Sequence, residues 1–385
     1  MSMVSPDSCI SSAVAAVAYA NFSARYKSRV ANELSSVCYC ITLRKLATLM
    51  TNPVEMQQKG VLLVIYLLAL YENSRLWWLK LTGTQTLTSA IRDGSWVTHM
   101  EGAQSILAHR ESINCKEGDK YLSVLCTHLI VYYLKESKTP PLHFDSWLQS
   151  IPFHSPHNKQ LVFLMLRTAE ASIMLKEESA TDRLIIPKLL DSALSLDFQL
   201  EKWASDVPLE WSYMARHPIS HHGHPKLARE LLDLPYAPRY MLLHSGILAA
   251  ADWNMYRATR IRLNLAILEF LYKVPSNDLE SQNLKCHITD LLSTLTHEIA
   301  YAIPYSLSLP ADGTSDSQSA EGIPGLEAYV QLWPVLTGYI CSRHRLVEGS
   351  GCVQTADWFK AILCFMRDSV GLAKVHLLLE EAAPS

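Results

Sequence analysis

The chain has 385 residues, 49% of them hydrophobic and 18% charged, which is enough apolar material for a sizeable core and excludes a disordered polyelectrolyte. Its 34 Lys and Arg against 37 Asp and Glu leave a formal net charge of −3. No basic cluster offers the phosphate-neutralising surface of a nucleic-acid reader, and only 14 glycines in a Leu-rich chain favour helices over turn-rich β architecture.

In chain order, apolar residues recur at helical spacing and strand alternation does not. Ser11 to Met50 reads as two helices, closed by Asn52-Pro53. Met56 to Trp78 follows as a helix apolar on nearly every face, the mark of a central bundle element. Trp96 to Arg110 and Lys120 to Lys135 are shorter amphipathic helices, stopped by Thr139-Pro140-Pro141. Further helices are expected at Asn158 to Glu178, Ile186 to Ala204, Pro238 to Lys273, Glu280 to Tyr301, Leu326 to Arg345 and Thr355 to Leu379. In the long one, Leu243, Ile247, Ala251, Asn254, Ala258, Ile261, Leu265, Leu268 and Tyr272 step by four and three along one stripe. Asn254 within that stripe requires a hydrogen-bond partner.

The fold class expected is therefore all-α, a bundle of about ten helices forming a single domain over residues 1–385. Long loops, expected to be mobile, fall near 215–239 and 304–325, where Pro, Gly, Ser and His gather. Val61 to Leu70 is half the length needed to span a bilayer, so no membrane segment is expected.

Catalytic and metal motifs fail one by one. The nine cysteines are odd in number and scattered; Cys38 and Cys40 sit one residue too close for a zinc pair. They read as small thiols in a reducing compartment. His217, His221, His222 and His224 have no nearby Cys or carboxylate and read as a solvated loop. His297-Glu298 opens an H-E-x-x-H pattern that Tyr301 breaks. Asn277, Asp278 and Ser281 resemble the start of the magnesium motif of class I terpene cyclases, but Lys285 stands where its final carboxylate belongs. A helix N-cap explains the same residues. No nucleophile elbow or phosphate-binding glycine loop is found. The expectation is a non-enzymatic chain without cofactor or metal.

A distributed pattern remains. Leu62 to Leu70 is an apolar run ending in Tyr71-Glu72, and Trp96-Val97-Thr98-His99 leads to Gly102-Ala103 and His109-Arg110. Trp203 precedes Pro208 and Trp211. Trp253-Asn254-Met255-Tyr256-Arg257 continues to Arg260, and Leu332-Trp333-Pro334 is followed by Trp358 and Gly371. These five pieces, in this order over roughly residues 10–375, resemble the regulatory region of fungal zinc-cluster transcription factors. The resemblance implies a transcriptional regulator, nuclear (alternatively cytoplasmic), acting on a metabolic or secondary-metabolite gene cluster. It departs from the family in lacking the six-cysteine zinc cluster, so direct DNA binding is not expected. Either an upstream exon or a DNA-binding partner supplies it, alongside other transcription proteins and a small hydrophobic effector. The alternative is a metabolite-binding or cofactor-free biosynthetic protein derived from the same fold.

The candidate ligand, partner or structural set is Trp96, His99, Asn254, Tyr256, Arg257 and Arg260. Its physical content is plain. Trp96, Trp253 and Trp333 supply large buried surfaces, Gly102-Ala103 permits close helix packing, and the two guanidinium groups can pair with acids such as Glu72 or Glu101.

Overall fold

The computed structural model describes residues 8–52, 59–81, 95–109, 121–142, 144–177, 185–216, 230–274, 278–307, 325–347, 350–372, 375 and 379. The fold is all-α, as the periodicity indicates. The helices are α1 (Cys9–Tyr26), α2 (Arg29–Met50), α3 (Lys59–Leu81), α4 (Ser95–His109), α5 (Tyr121–Glu136), α6 (Phe144–Ser150), α7 (Pro156–Glu177) and α8 (Ile185–Asp206). A 3-10 turn (Leu209–Trp211) leads to strands β1 (Tyr213–Arg216) and β2 (Met241–His244). Then come α9 (Ile247–Lys273), α10 (Leu279–Ser306), α11 (Gly325–Ser342), α12 (Ser350–Phe365) and a π turn (Met366–Val370). Among the described residues no helix is long and apolar enough to cross a membrane.

The chain, expected as one domain, groups into two compact units. The first takes Met1–Leu129, His143–Phe153 and Cys364–Ser385; the second takes Ile130–Leu142 and His154–Leu363. Each is described by itself.

In the first unit α1 and α2 form a hairpin. Lys27, at φ 54°, ends α1, and the Ser28 hydroxyl caps α2 by accepting from the Ala31 amide at 3.3 Å. Ala13, Ala16, Ala20 and Ala24 make a buried small-residue seam on α1, the surface that lets α2 and α3 approach. Helix α3 is buried around most of its girth, through Val61, Leu62, Val64, Ile65, Leu68, Ala69 and Tyr71. Tyr71 stacks on Tyr39 with centroids 4.3 Å apart. Helix α4 packs on α3 through Met100, Ala103 and Ile106. Ala103 alone of the Gly102-Ala103 pair makes that approach close, since a Cβ at Gly102 would touch nothing.

The second unit is built around α9, in which 19 of 27 residues are buried. A helix covered on all sides is a central strut, and α7, α8, α10 and α11 all pack on it. Where α11 meets α12, Gly338 is a close approach: any Cβ there would run into the Phe359 ring.

Three sequence expectations are corrected. The long helix does not begin at Pro238, because Met241–His244 forms a strand antiparallel to β1, with Tyr213 opposite His244. The last helix does not continue to Leu379. It widens into the π turn and stops at Gly371, whose φ of +85° favours glycine and whose missing Cβ leaves room for Ala24. The loop expected from residue 304 begins later, since Pro304 lies inside α10, which runs to Ser306. The remainder of that loop, the poly-histidine segment and Asn277 lie outside the described residues.

Candidate functional site

Of the six candidate residues, four come together on α9. Trp96 lies outside the described side chains. His99 belongs to α4 in the first unit, half-buried, its Nε2 without a hydrogen bond among the described residues. Burial lowers its pKa against the opposing charge of Glu72.

Arg260 is a closed ion pair. Its Nε and Nη2 donate to the two carboxylate oxygens of Asp197 on α8 at 2.8 and 2.9 Å, and its Nη1 donates to the Tyr256 hydroxyl at 3.0 Å. The Asn264 amide adds a bond to Asp197 at 2.6 Å. Burial alone would lower the Arg260 pKa, but the Asp197 hydrogen bonds, with Tyr256 and the Asp197 charge, outweigh it and hold the guanidinium charged. Burial pushes the Tyr256 hydroxyl up, with Arg260 opposing. This end of the site is a satisfied buried network.

Arg257, one turn earlier and fully buried, differs. Its Nε donates to Glu298 of α10 at 2.9 Å and its Nη1 to the Asn254 Oδ1 at 2.9 Å. Its Nη2 makes no hydrogen bond among the described residues. The guanidinium lies over the rings of Tyr213 (4.8 Å) and Trp253 (5.4 Å). Asn254 in turn donates through Nδ2 to Gln331 Oε1 of α11 at 2.7 Å and to Ser306 of α10 at 3.3 Å. The partner that Asn254 requires is thus threefold. The acids that the two arginines meet are Asp197, with Glu201 at 3.5 Å, for Arg260 and Glu298 for Arg257; Glu72 and Glu101 belong to the first unit.

Rings line this region in a chain. Trp203 stacks on Tyr256 at 5.2 Å and meets Trp253 edge-on at 5.6 Å; Tyr213 meets Trp253 at 4.8 Å, and His244 lies between Tyr213 and Tyr305 at 5.3 and 5.7 Å. The indole N–H of Trp203 donates to the His157 carbonyl and that of Trp253 to the Trp211 carbonyl. His244 is buried, with neither ring nitrogen hydrogen-bonded among the described residues. Burial, then the Arg257 charge, pull its pKa to about 3, so the ring is neutral at physiological pH.

Sequence reasoning missed His244, Asp197, Gln331 and the role of Glu298. Glu298 was visible only as part of a failed metalloprotease pattern, and Gln331 as a polar residue just before Leu332-Trp333-Pro334. The terpene-cyclase fragment is a helix cap: Asp278 accepts from the Ser281 amide at 2.6 Å, and Lys285 lies over the Tyr272 ring. Among the described residues no three His, Cys, Asp or Glu gather to hold a metal. His297 ties α10 to α12, with its Nδ1 at 2.7 Å from the Ser293 carbonyl and its Nε2 at 3.2 Å from the Thr355 hydroxyl.

No family model, curated protein or solved structure gives a significant match to the chain.

Proposed function

We propose that the chain is a transcription-regulatory domain of the kind found in fungal zinc-cluster factors, non-enzymatic and nuclear, acting on genes of a metabolic pathway through a DNA-binding partner. One observation carries the reading. The Trp203 piece and the Trp253-to-Arg260 piece, some fifty residues apart in the pattern that resembles that family, meet as one packed cluster. The cluster bonds arginines to neighbouring helices, which suits transmission of a conformational signal better than bond-breaking chemistry. A helix fixed at two points by buried charges has few intermediate positions, and regulation works through discrete states.

The test is to fuse the full chain to a heterologous DNA-binding domain and read a reporter gene. Reporter transcription well above that of the DNA-binding domain alone is expected. An inert fusion that is folded and nuclear, together with unchanged transcripts but an accumulating intermediate on gene deletion, overturns the reading in favour of a metabolite-acting protein.

A further inference from the structure

In the first unit, the α1–α2 hairpin is covered on one side and bare on the other. Ala16 and Ala20 of α1 and Cys38 and Tyr39 of α2 pack with Tyr71 of α3, so α3 takes one face of the hairpin. At 3.6 residues per turn, Val30, Leu34, Val37 and Ile41 lie about 140–180° around α2 from Tyr39. Tyr19, Phe22 and Tyr26 lie about 100–160° around α1 from Ala20. Both rows therefore turn away from α3. All seven side chains are exposed, from 38% at Ile41 to 66% at Val30. Steps of four, three and four along α2 are the spacing of a seam that packs against another helix. Within the hairpin, that role already belongs to a different row, Ala31, Ser35, Thr42 and Leu46. Each exposed side chain leaves on the order of 100 Å² bare, so the face offers on the order of 700 Å², beyond the largest apolar patch of an ordinary monomer and close to what each partner gives to a stable dimer.

The charges beside the α2 row favour a second copy as the occupant. Glu33 and Arg44, both exposed, stand about three turns apart on the same edge of that row. The Glu33 pair with Arg29 is open to solvent on both sides and therefore weak. An antiparallel two-fold pairing that sets Val37 of one copy opposite Ile41 of the other brings Glu33 level with Arg44, once at each end. A parallel pairing would set Glu33 on Glu33 and Arg44 on Arg44. One surface thus carries both halves of its own complement, as an isologous contact requires. We propose that two copies of the chain associate through this face, their α1–α2 hairpins packing antiparallel along the α2 rows into a four-helix bundle flanked by Tyr19, Phe22 and Tyr26. Such pairing gives the chain two-fold symmetry whether or not it regulates transcription.

The experiment is sedimentation equilibrium of the full chain. A dimer of twice 43.3 kDa is expected, with a dissociation constant of about 10 μM or tighter. Val37→Asp with Ile41→Asp changes exposed positions, so the fold should survive by circular dichroism while the constant rises about tenfold or more. Phe198→Asp, at an exposed apolar position of the second unit, should leave the constant unchanged. Glu33→Arg should weaken association about fivefold, and Arg44→Glu added to it should restore it, because the pair then meets with its signs exchanged. A chain that stays monomeric at about 100 μM overturns the proposal, and one that instead sediments with phosphatidylserine vesicles gives the face to a membrane surface. A dimer that the two aspartates leave intact, one that Phe198→Asp weakens as much, or a charge exchange that restores nothing overturns it equally.

Discussion

Arg257 and Arg260 lie one turn apart on the same helix, both buried, and the protein completes one and not the other. Arg260 has a two-pronged carboxylate, a phenol and a supporting amide. Arg257 has a one-pronged carboxylate that is partly exposed, an amide oxygen and two aromatic faces. A guanidinium closed on all edges builds the fold. One whose second η nitrogen lacks an acceptor leaves a buried donor unmet.

The sharpest way to break this contrast is at Asp197. Asp197→Ala leaves the buried Arg260 with only the exposed Glu201 carboxylate, 3.5 Å from its Nη2, and should cost about 3 kcal/mol in urea unfolding. Replacing the pair together, Asp197→Leu with Arg260→Met, should recover most of that loss; a double variant as unstable as the single one would deny that Arg260 is a structural ion pair. Asn254→Ala removes the bonds to Arg257 and Gln331 at once, and should cost about 2–3 kcal/mol by the same measurement.

Acid tests the other end. The His244 pKa is depressed in the folded state, so below the ordinary histidine value the unfolded chain takes up a proton that the folded chain refuses. Its contribution to stability is full above about pH 6.5 and falls by about 1.4 kcal/mol per pH unit down to about pH 3. His244→Phe should flatten that part of the pH–stability curve, and an unaltered slope would place the proton uptake elsewhere. Glu298→Ala removes the one carboxylate that the fully buried Arg257 meets among the described residues, and should cost about 2–3 kcal/mol in urea unfolding. No measurable loss would show that Asn254 and the two ring faces suffice to hold that charge.

Much of the helical framework was legible because α2, α3, α7, α8 and α10 are long enough for apolar spacing to repeat several times. The seven residues of α6 and the four of each strand are too short for any period to declare itself. The β1–β2 pair is also made by segments separated by 24 intervening residues, which a local pattern does not couple. The turn at Gly371 depends on Ala24 and on Asn21, whose amide bonds the Val370 carbonyl from the far end of the sequence. In the site, Asn254 stood out as a polar residue in an apolar stripe, and Tyr256, Arg257 and Arg260 through the family-like piece that begins at Trp253. Their partners lie 41 to 77 residues away, on helices whose own patterns gave no reason to favour Glu298, Asp197 or Gln331 over any other polar residue.

The side-chain amide of Asn254 touches three helices at once: its own, α10 through Ser306 and α11 through Gln331. One planar group of fixed reach therefore gauges the register of all three. A slip of α11 by a single turn, about 5.4 Å, carries Gln331 out of range, and no intermediate offset keeps both contacts. The bundle at this level behaves as a ratchet with one tooth engaged.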